Sequence, residues 1–253
     1  MIVYYNGRYI PKDTVCISPD DRGFLLADGT YEVVRIYRGQ PFRLDGHIRR
    51  LRNSLDAIRL SYPDVEEFAD VAEELILRNK LPDGEGTLYI QITRGVAQRH
   101  HSFPAHGTPP TVYACLNPAV PALEKWKNGI SVILVPDLRW GRCDIKSVSL
   151  LANVLAAQQA KEAGAEEAVF VRDGMVTEGT HTNVVAVERG VLLTCPLQNA
   201  ILDGITRETV LELCRSLSIP FREEPIPEGR FRSADEACIL GTSTEIMPVV
   251  RID

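Results

Sequence analysis

Ala168-Val169-Phe170-Val171-Arg172-Asp173-Gly174-Met175-Val176-Thr177-Glu178 holds the key to the fold class. Two runs of strand-forming residues flank Asp-Gly, a dipeptide with easy access to positive φ, and this predicts an antiparallel hairpin of strands 168–172 and 175–178. Upstream, a strand is expected at 130–135 and a helix over about 150–163. Downstream come strands at 183–188 and 191–194. A helix from about Thr206 to Ser218 follows, with Val210, Leu213, Cys214 and Leu217 on one face. A last strand, 237–240, runs into a loop of small and hydroxyl residues. The first half is built alike. Strand pairs are expected within 3–10, turning at Asn6-Gly7, and within 30–44, turning at Arg38-Gly39. Ile48, Leu51, Leu55 and Ile58 mark one amphipathic helix, and Val65, Phe68, Val71 and Leu75 another; strands at 88–93 and 111–116 complete the half. Strands and helices are mixed and hairpins outnumber βαβ units, so the class is α+β.

Asn117-Pro118-Ala119-Val120-Pro121 places two prolines between a strand and a new segment, so residues 117–121 are expected to link a domain at 1–116 to one at 122–253. With 45% hydrophobic and 25% charged residues the chain is globular, which excludes disorder and collagen-like repeats. Its charge is −6 and its basic residues are scattered, with no basic stripe interleaved with aromatics, so nucleic acid is set aside as a partner. The six cysteines contain no C-x-x-C pair and read as unpaired, mostly buried thiols of a reducing compartment. Met1-Ile2-Val3-Tyr4-Tyr5 does not read as a signal peptide, and no apolar run nears the ~18 residues of a membrane span. A cytoplasmic protein without membrane contact is expected.

Common catalytic signatures are missing: there is no phosphate loop, no H-E-x-x-H and no G-x-S-x-G, and adjacent His100 and His101 make a poor chelate, so no metal is expected. Of six lysines, five stand in polar surroundings. Lys146 differs, lying between a strand-rich region and the apolar Leu150-Leu151-Ala152-Asn153, where a sheltered amine can act as a nucleophile. Three more segments join it. Glu178-Gly179-Thr180-His181-Thr182-Asn183 leads a carboxylate into a turn of small polar groups. Asp203-Gly204-Ile205-Thr206-Arg207 opens a helix, whose start favours a phosphate. Gly241-Thr242-Ser243-Thr244-Glu245 is a second hydroxyl-rich loop. Each alone could be an N-cap or a turn. A lysine, a carboxylate and two anion cradles together make the kit for pyridoxal 5'-phosphate.

The chain resembles the fold-type IV pyridoxal-phosphate enzymes, the branched-chain and D-amino-acid aminotransferase group. The resemblance runs from Tyr4-Tyr5-Asn6-Gly7 to Glu245 and is most specific at His47-Ile48-Arg49-Arg50-Leu51, Lys146, Glu178 to Asn183, Gly204 to Arg207 and Thr242 to Glu245. It implies a smaller N-terminal α/β domain and a larger C-terminal domain with a β-barrel-like core. It also implies roles. Lys146 would hold the cofactor as an internal aldimine and then move the α-proton. Glu178 would face the pyridine nitrogen. Arg50, Ile205, Thr206 and Ser243 would bind the phosphate. By composition alone, Arg50 could be a surface arginine beside Arg49 and Arg52; the H-x-x-R-L context singles it out.

Thr93-Arg94-Gly95-Val96-Ala97-Gln98-Arg99-His100-His101-Ser102-Phe103-Pro104 bears on the substrate. If extended, it projects Arg99 and His101 to one side, where they could share a carboxylate. This resembles the R-x-H trap of the D-amino-acid aminotransferases, which reaches into the partner's site in a homodimer and is completed by a tyrosine, here Tyr31. The implied reaction is ping-pong amine transfer between a D-amino acid, such as D-alanine or D-glutamate, and a 2-oxo acid. The rivals are an L-branched-chain aminotransferase and an aminodeoxychorismate lyase that eliminates pyruvate. His181 departs from the small serines and threonines usual at its position, with its role left open.

Overall fold

Asn6 and Gly7 both adopt positive φ, 46° and 81°, which turns β1 (Ile2–Tyr5) back on β2 (Arg8–Pro11). The computed structural model describes residues 1–253. A one-turn helix unmarked in the sequence, α1 (Arg22–Leu26), follows, its Gly23 N–H donating to Asp21 Oδ1 at 2.8 Å. Next is β3 (Gly29–Tyr37), which turns at Arg38-Gly39 onto β4 (Gln40–Pro41). The second arm of this hairpin was expected to reach 44. It stops at Pro41, whose missing N–H suits a strand end, and Leu44 already belongs to α2 (Leu44–Ala57). Then come α3 (Phe68–Arg78), β5 (Gly86–Thr93) and β6 (Thr111–Pro118).

These strands form an antiparallel sheet in the order β2-β1-β6-β5-β3-β4. Alternation sends Val34 and Ile36, Leu88, Ile90 and Ile92, and Val112, Ala114 and Leu116 to one face. There they pack against Leu51 and Leu55 of α2 and Phe68, Val71 and Leu75 of α3. Tyr31 and Tyr89 occupy the other face and stack at 5.8 Å between centroids. The expected linker is only partly a linker: Asn117 and Pro118 are the end of β6, paired with Thr87 and Gly86.

The second half runs through α4 (Leu123–Asn128), β7 (Ile130–Pro136), α5 (Leu151–Glu162), β8 (Glu167–Arg172), β9 (Met175–Gly179), β10 (Asn183–Glu188) and β11 (Val191–Thr194). It continues through α6 (Ile205–Ser216), β12 (Phe221–Glu223), β13 (Ile226–Pro227), α7 (Glu228–Arg232), β14 (Glu236–Gly241) and β15 (Glu245–Ile252). Asp173 and Gly174 have φ of 52° and 75°, as the opening hairpin requires. Strands β10, β14, β15, β7, β8 and β9 are neighbours in that order, and the pair Asn183–Glu178 joins β10 back to β9. A six-stranded barrel results, filled by residues such as Val132, Val169, Val176, Val184, Ile239 and Met247.

Three expectations change. The strand at 237–240 is not the last, because β15 pairs with it and, in parallel, with β7. Pro248 lies within β15, opposite Cys238 of β14. The apolar helix after Lys146 buries only Ala156 and Ala160, against Phe170 and its neighbours, and leaves Leu151, Val154 and Leu155 72%, 59% and 62% exposed. The chain also does not divide at one point. It forms two compact units, Met1–Val120 with Ile145–Ser149, and Pro121–Asp144 with Leu150–Asp253. The segment carrying Lys146 therefore belongs to the first unit and not to a continuous 122–253 domain.

Candidate active site

In the first unit the returning segment adds backbone hydrogen bonds to the start of β3. Tyr31 N–H donates to Lys146 O at 3.0 Å and Val148 N–H to Gly29 O at 3.1 Å, while Lys146 N–H donates to Ser54 Oγ of α2 at 3.2 Å. So held, the half-buried Lys146 places its Nζ 4.4 Å from the centroid of the Tyr31 ring.

Arg50 is buried rather than a surface arginine. Its Nε donates to Glu32 Oε1 at 2.7 Å and its Nη2 to Glu32 Oε2 at 2.9 Å, a fork-to-carboxylate geometry that fixes the guanidinium plane. Glu32 is wholly buried. Burial alone would raise its pKa, but Arg50 and the hydrogen bond from His47 hold it well below the usual carboxylate range. His47 Nδ1 lies 2.8 Å from Glu32 Oε2. Burial lowers the histidine's pKa and Glu32 only partly opposes this, so His47 is a neutral Nδ1–H donor near pH 7. Glu32 was not singled out from the sequence. Its one signal is a carboxylate at an inward-facing position of a strand, and its partners lie 15 and 18 residues away.

In the second unit Glu178 is buried on β9 and accepts from Leu202 N–H at 2.8 Å, from Asn183 Nδ2 at 3.3 Å and from Arg139 Nη1. Arg139 also pairs with Asp137 and lies over the Phe170 ring. Burial works against its charge, yet Asp137 and Glu178 raise its pKa above the ordinary arginine value. The sequence reading missed it, although Asp137-Leu138-Arg139 at the end of a strand pairs opposite charges two residues apart.

Asn183 also reaches the start of α6. A Cβ built on Gly204 would lie 1.9 Å from Asn183 Oδ1. Its φ of −76° suits any residue, so lack of space, not conformation, requires glycine here. As N-cap, Gly204 offers no side-chain acceptor to the first-turn N–H groups of Ile205 and Thr206. Ser243 is exposed in the turn between β14 and β15, beside residue 181: Thr244 Oγ1 lies 3.4 Å from His181 Nε2. His181, whose role was open, also lies 3.2 Å from Glu167 Oε2 through Nδ1.

Arg99 and His101 lie in an exposed loop and form no hydrogen bond or ion pair within the chain. The loop bends at 99, 101 and 102, so strand alternation does not govern the direction of these side chains as expected.

These features fit pyridoxal phosphate. An uncapped helix start behind an obligate glycine suits a phosphate. A buried carboxylate braced by an arginine suits a ring nitrogen. A half-buried amine against an aromatic face suits the carbonyl-bearing carbon. A family model described as amino-transferase class IV matches residues 29–252. The chain belongs to the class IV aminotransferases, pyridoxal-phosphate-dependent enzymes of fold type IV. It is 42% identical over 255 residues to the D-alanine aminotransferase of Bacillus licheniformis, covering 100% of this chain and 89% of that one. To the D-alanine aminotransferase of Staphylococcus haemolyticus it is 40% identical over 252 residues, covering 99% and 89%. The structure of the Escherichia coli branched-chain amino acid aminotransferase superposes with a TM-score of 0.91 at 25% identity, covering 100% of this chain and 86% of that one.

Proposed function

We propose that the protein transfers the amino group of a D-amino acid, with D-alanine the leading candidate, to a 2-oxo acid. The observation that carries this reading is an arginine and a histidine, Arg99 and His101, left exposed and unpaired in a loop anchored by buried arginines. Two donors so displayed suit a substrate carboxylate. The full-length likeness to D-alanine aminotransferases supports it.

Pyridoxal phosphate, when bound, supplies the electron sink for charge developing at the amino acid's α-carbon. Lys146 Nζ would hold the cofactor and take and return the substrate's α-proton; its place over the Tyr31 ring and its backbone bonds to Ser54 and Tyr31 support that role. Glu178 would serve the ring nitrogen, with Arg139 and Asn183 fixing the carboxylate's orientation. Arg50, aimed by Glu32, would offer its guanidinium to the phosphate, and the Ile205 and Thr206 N–H groups and Ser243 are the phosphate donors proposed for the second unit. Tyr31, Arg99 and His101 orient the substrate carboxylate, and so determine which face of the α-carbon Lys146 meets.

The working form is a homodimer in which Arg99 and His101 serve the partner's site. No helix is long and apolar enough to cross a membrane, and a cytoplasmic location is part of the proposal.

The test is a single-turnover half-reaction. The protein, loaded with pyridoxal phosphate, is mixed with D-alanine or, separately, with L-valine or L-leucine while its visible absorption is followed. Bleaching by the D-isomer alone is expected. Bleaching by the L-isomers alone transfers the protein to the branched-chain activity, and bleaching by neither directs the search to aminodeoxychorismate.

A further inference from the structure

Arg22 lies far from Arg99 and His101 in sequence and reads there as an ordinary charged residue at the start of a short helix. In the fold it is 2% exposed. Its Nε donates to Asp28 Oδ2 at 2.8 Å, and its Nη1 donates to the main-chain oxygen of His100 at 2.7 Å. The carbonyl it grips stands between the two residues read as the carboxylate trap.

The rest of the loop is held as firmly. Gly95 at its root has a φ of +85°, and a Cβ there would lie 1.9 Å from Pro109 O, so the chain leaves β5 along one course. Gly95 O accepts from Arg22 N–H at 2.9 Å, and Ala97 N–H donates to Asp20 O at 3.3 Å. Arg94 is 8% exposed. It donates from Nε to the same Asp28 Oδ2 at 2.8 Å and from Nη1 and Nη2 to the carbonyls of Arg59 and Ile58. Its guanidinium carbon lies 3.8 Å from the Phe103 ring centroid, which ties down the far end of the loop. Burial would raise the pKa of Asp28, but the hydrogen bonds from Arg94 and Arg22 keep it low, so one carboxylate braces both arginines. Loop ends and middle are pinned while Arg99 and His101 point at nothing in their own chain.

We infer that Arg22 is a positioning residue for substrate carboxylate binding: by gripping the His100 carbonyl it presets the loop that displays Arg99 and His101. The inference rests on the carboxylate role proposed for those two residues. A preset loop orders no backbone when the substrate arrives, so its gain appears in binding.

Arg22→Lys tests it. An ammonium can still neutralise Asp28 but lacks the rigid fork that serves Asp28 and a carbonyl at once. Loss of one charge-assisted hydrogen bond should raise KM for D-alanine about tenfold, with kcat within about threefold of wild type. The visible absorption of the loaded enzyme should not change. In the double variant R22K/R99A, KM should rise by less than the product of the two single effects, because Arg22 acts in part through Arg99 and for the rest through His101; a merely structural role gives multiplying losses. Should R22K fail to fold, Phe103→Leu loosens the same loop at a half-exposed ring and should raise KM in the same way.

Unchanged KM in a folded R22K, or in F103L where R22K does not fold, or losses that multiply in the double variant, overturns the inference alone, provided Arg99→Ala raises KM. If Arg99→Ala leaves KM unchanged, the carboxylate reading falls and takes the role of Arg22 with it.

Discussion

Glu32 stands between two nitrogen ligands, Arg50 and His47, with no access to water. An anion so placed is costly to remove, because a buried guanidinium then loses its counter-charge. Glu32→Gln is therefore expected to destabilise the protein by about 3–5 kcal/mol at neutral pH, read from urea melts. The acid limb should change as well. The folded-state pKa of Glu32 is depressed, so its contribution is fully present above the unfolded value of about 4.3 and is lost as pH falls below it. Wild-type stability should thus fall between about pH 4.5 and 3, and the E32Q curve should be flatter there. An equal slope in both would remove Glu32 as its source. At this scale the sequence was partly legible. The family resemblance at H-x-x-R-L singled out Arg50, and the structure finds that arginine buried against Glu32. Glu32 and Arg139 were not singled out, because each acquires its meaning from a side chain on another strand or helix.

At the scale of the element, α6 begins where it does because Gly204 leaves room for Asn183. Gly204→Ala drives a methyl into Asn183 Oδ1, and Asn183 in turn donates to Glu178 and to Leu202 O. Overpacking of this kind costs about 1–3 kcal/mol. The variant should melt a few degrees lower and, if the helix start holds the phosphate, should release pyridoxal phosphate on dialysis faster than wild type. A lower melting point with unchanged cofactor retention would separate the packing role from the binding one. Turn chemistry made elements legible: Asn6-Gly7, Arg38-Gly39 and Asp173-Gly174 all turn where their sequence says, and β10 and β11 have the expected bounds. Elements made by distant pairing were harder. β15 contains a proline, yet it is a strand because β14 and β7 flank it. Apolar content misled at α5, whose leucines face outward while two alanines do the packing.

For the whole molecule, the proposed exchange of Arg99 and His101 within a homodimer makes a specific demand. Lys146→Ala and Arg99→Ala protomers are each defective, but a mixed dimer would hold one site with an intact lysine from one chain and an intact arginine from the other. Co-expression should restore about one quarter of wild-type activity, since about half the dimers are mixed and one site of each is whole. No recovery would mean that each loop serves its own chain. The α+β class was legible from patterning. The allegiance of Lys146 was not, because the bonds that bind its segment to β3 are made by backbone atoms and leave no mark in residue type.

That allegiance sets an order of events during synthesis. Residues 1–120 leave the ribosome with the six-stranded sheet complete in sequence, yet the start of β3 still lacks the residues that bond to Gly29 and Tyr31. These arrive only with Ile145–Ser149, after the first strand of the barrel has emerged. A nascent chain whose residues only up to 144 have left the ribosome would hold a nearly finished first unit with one raw edge. The amide of Tyr31 should stay unprotected in pulse-labelled exchange until Lys146 has emerged.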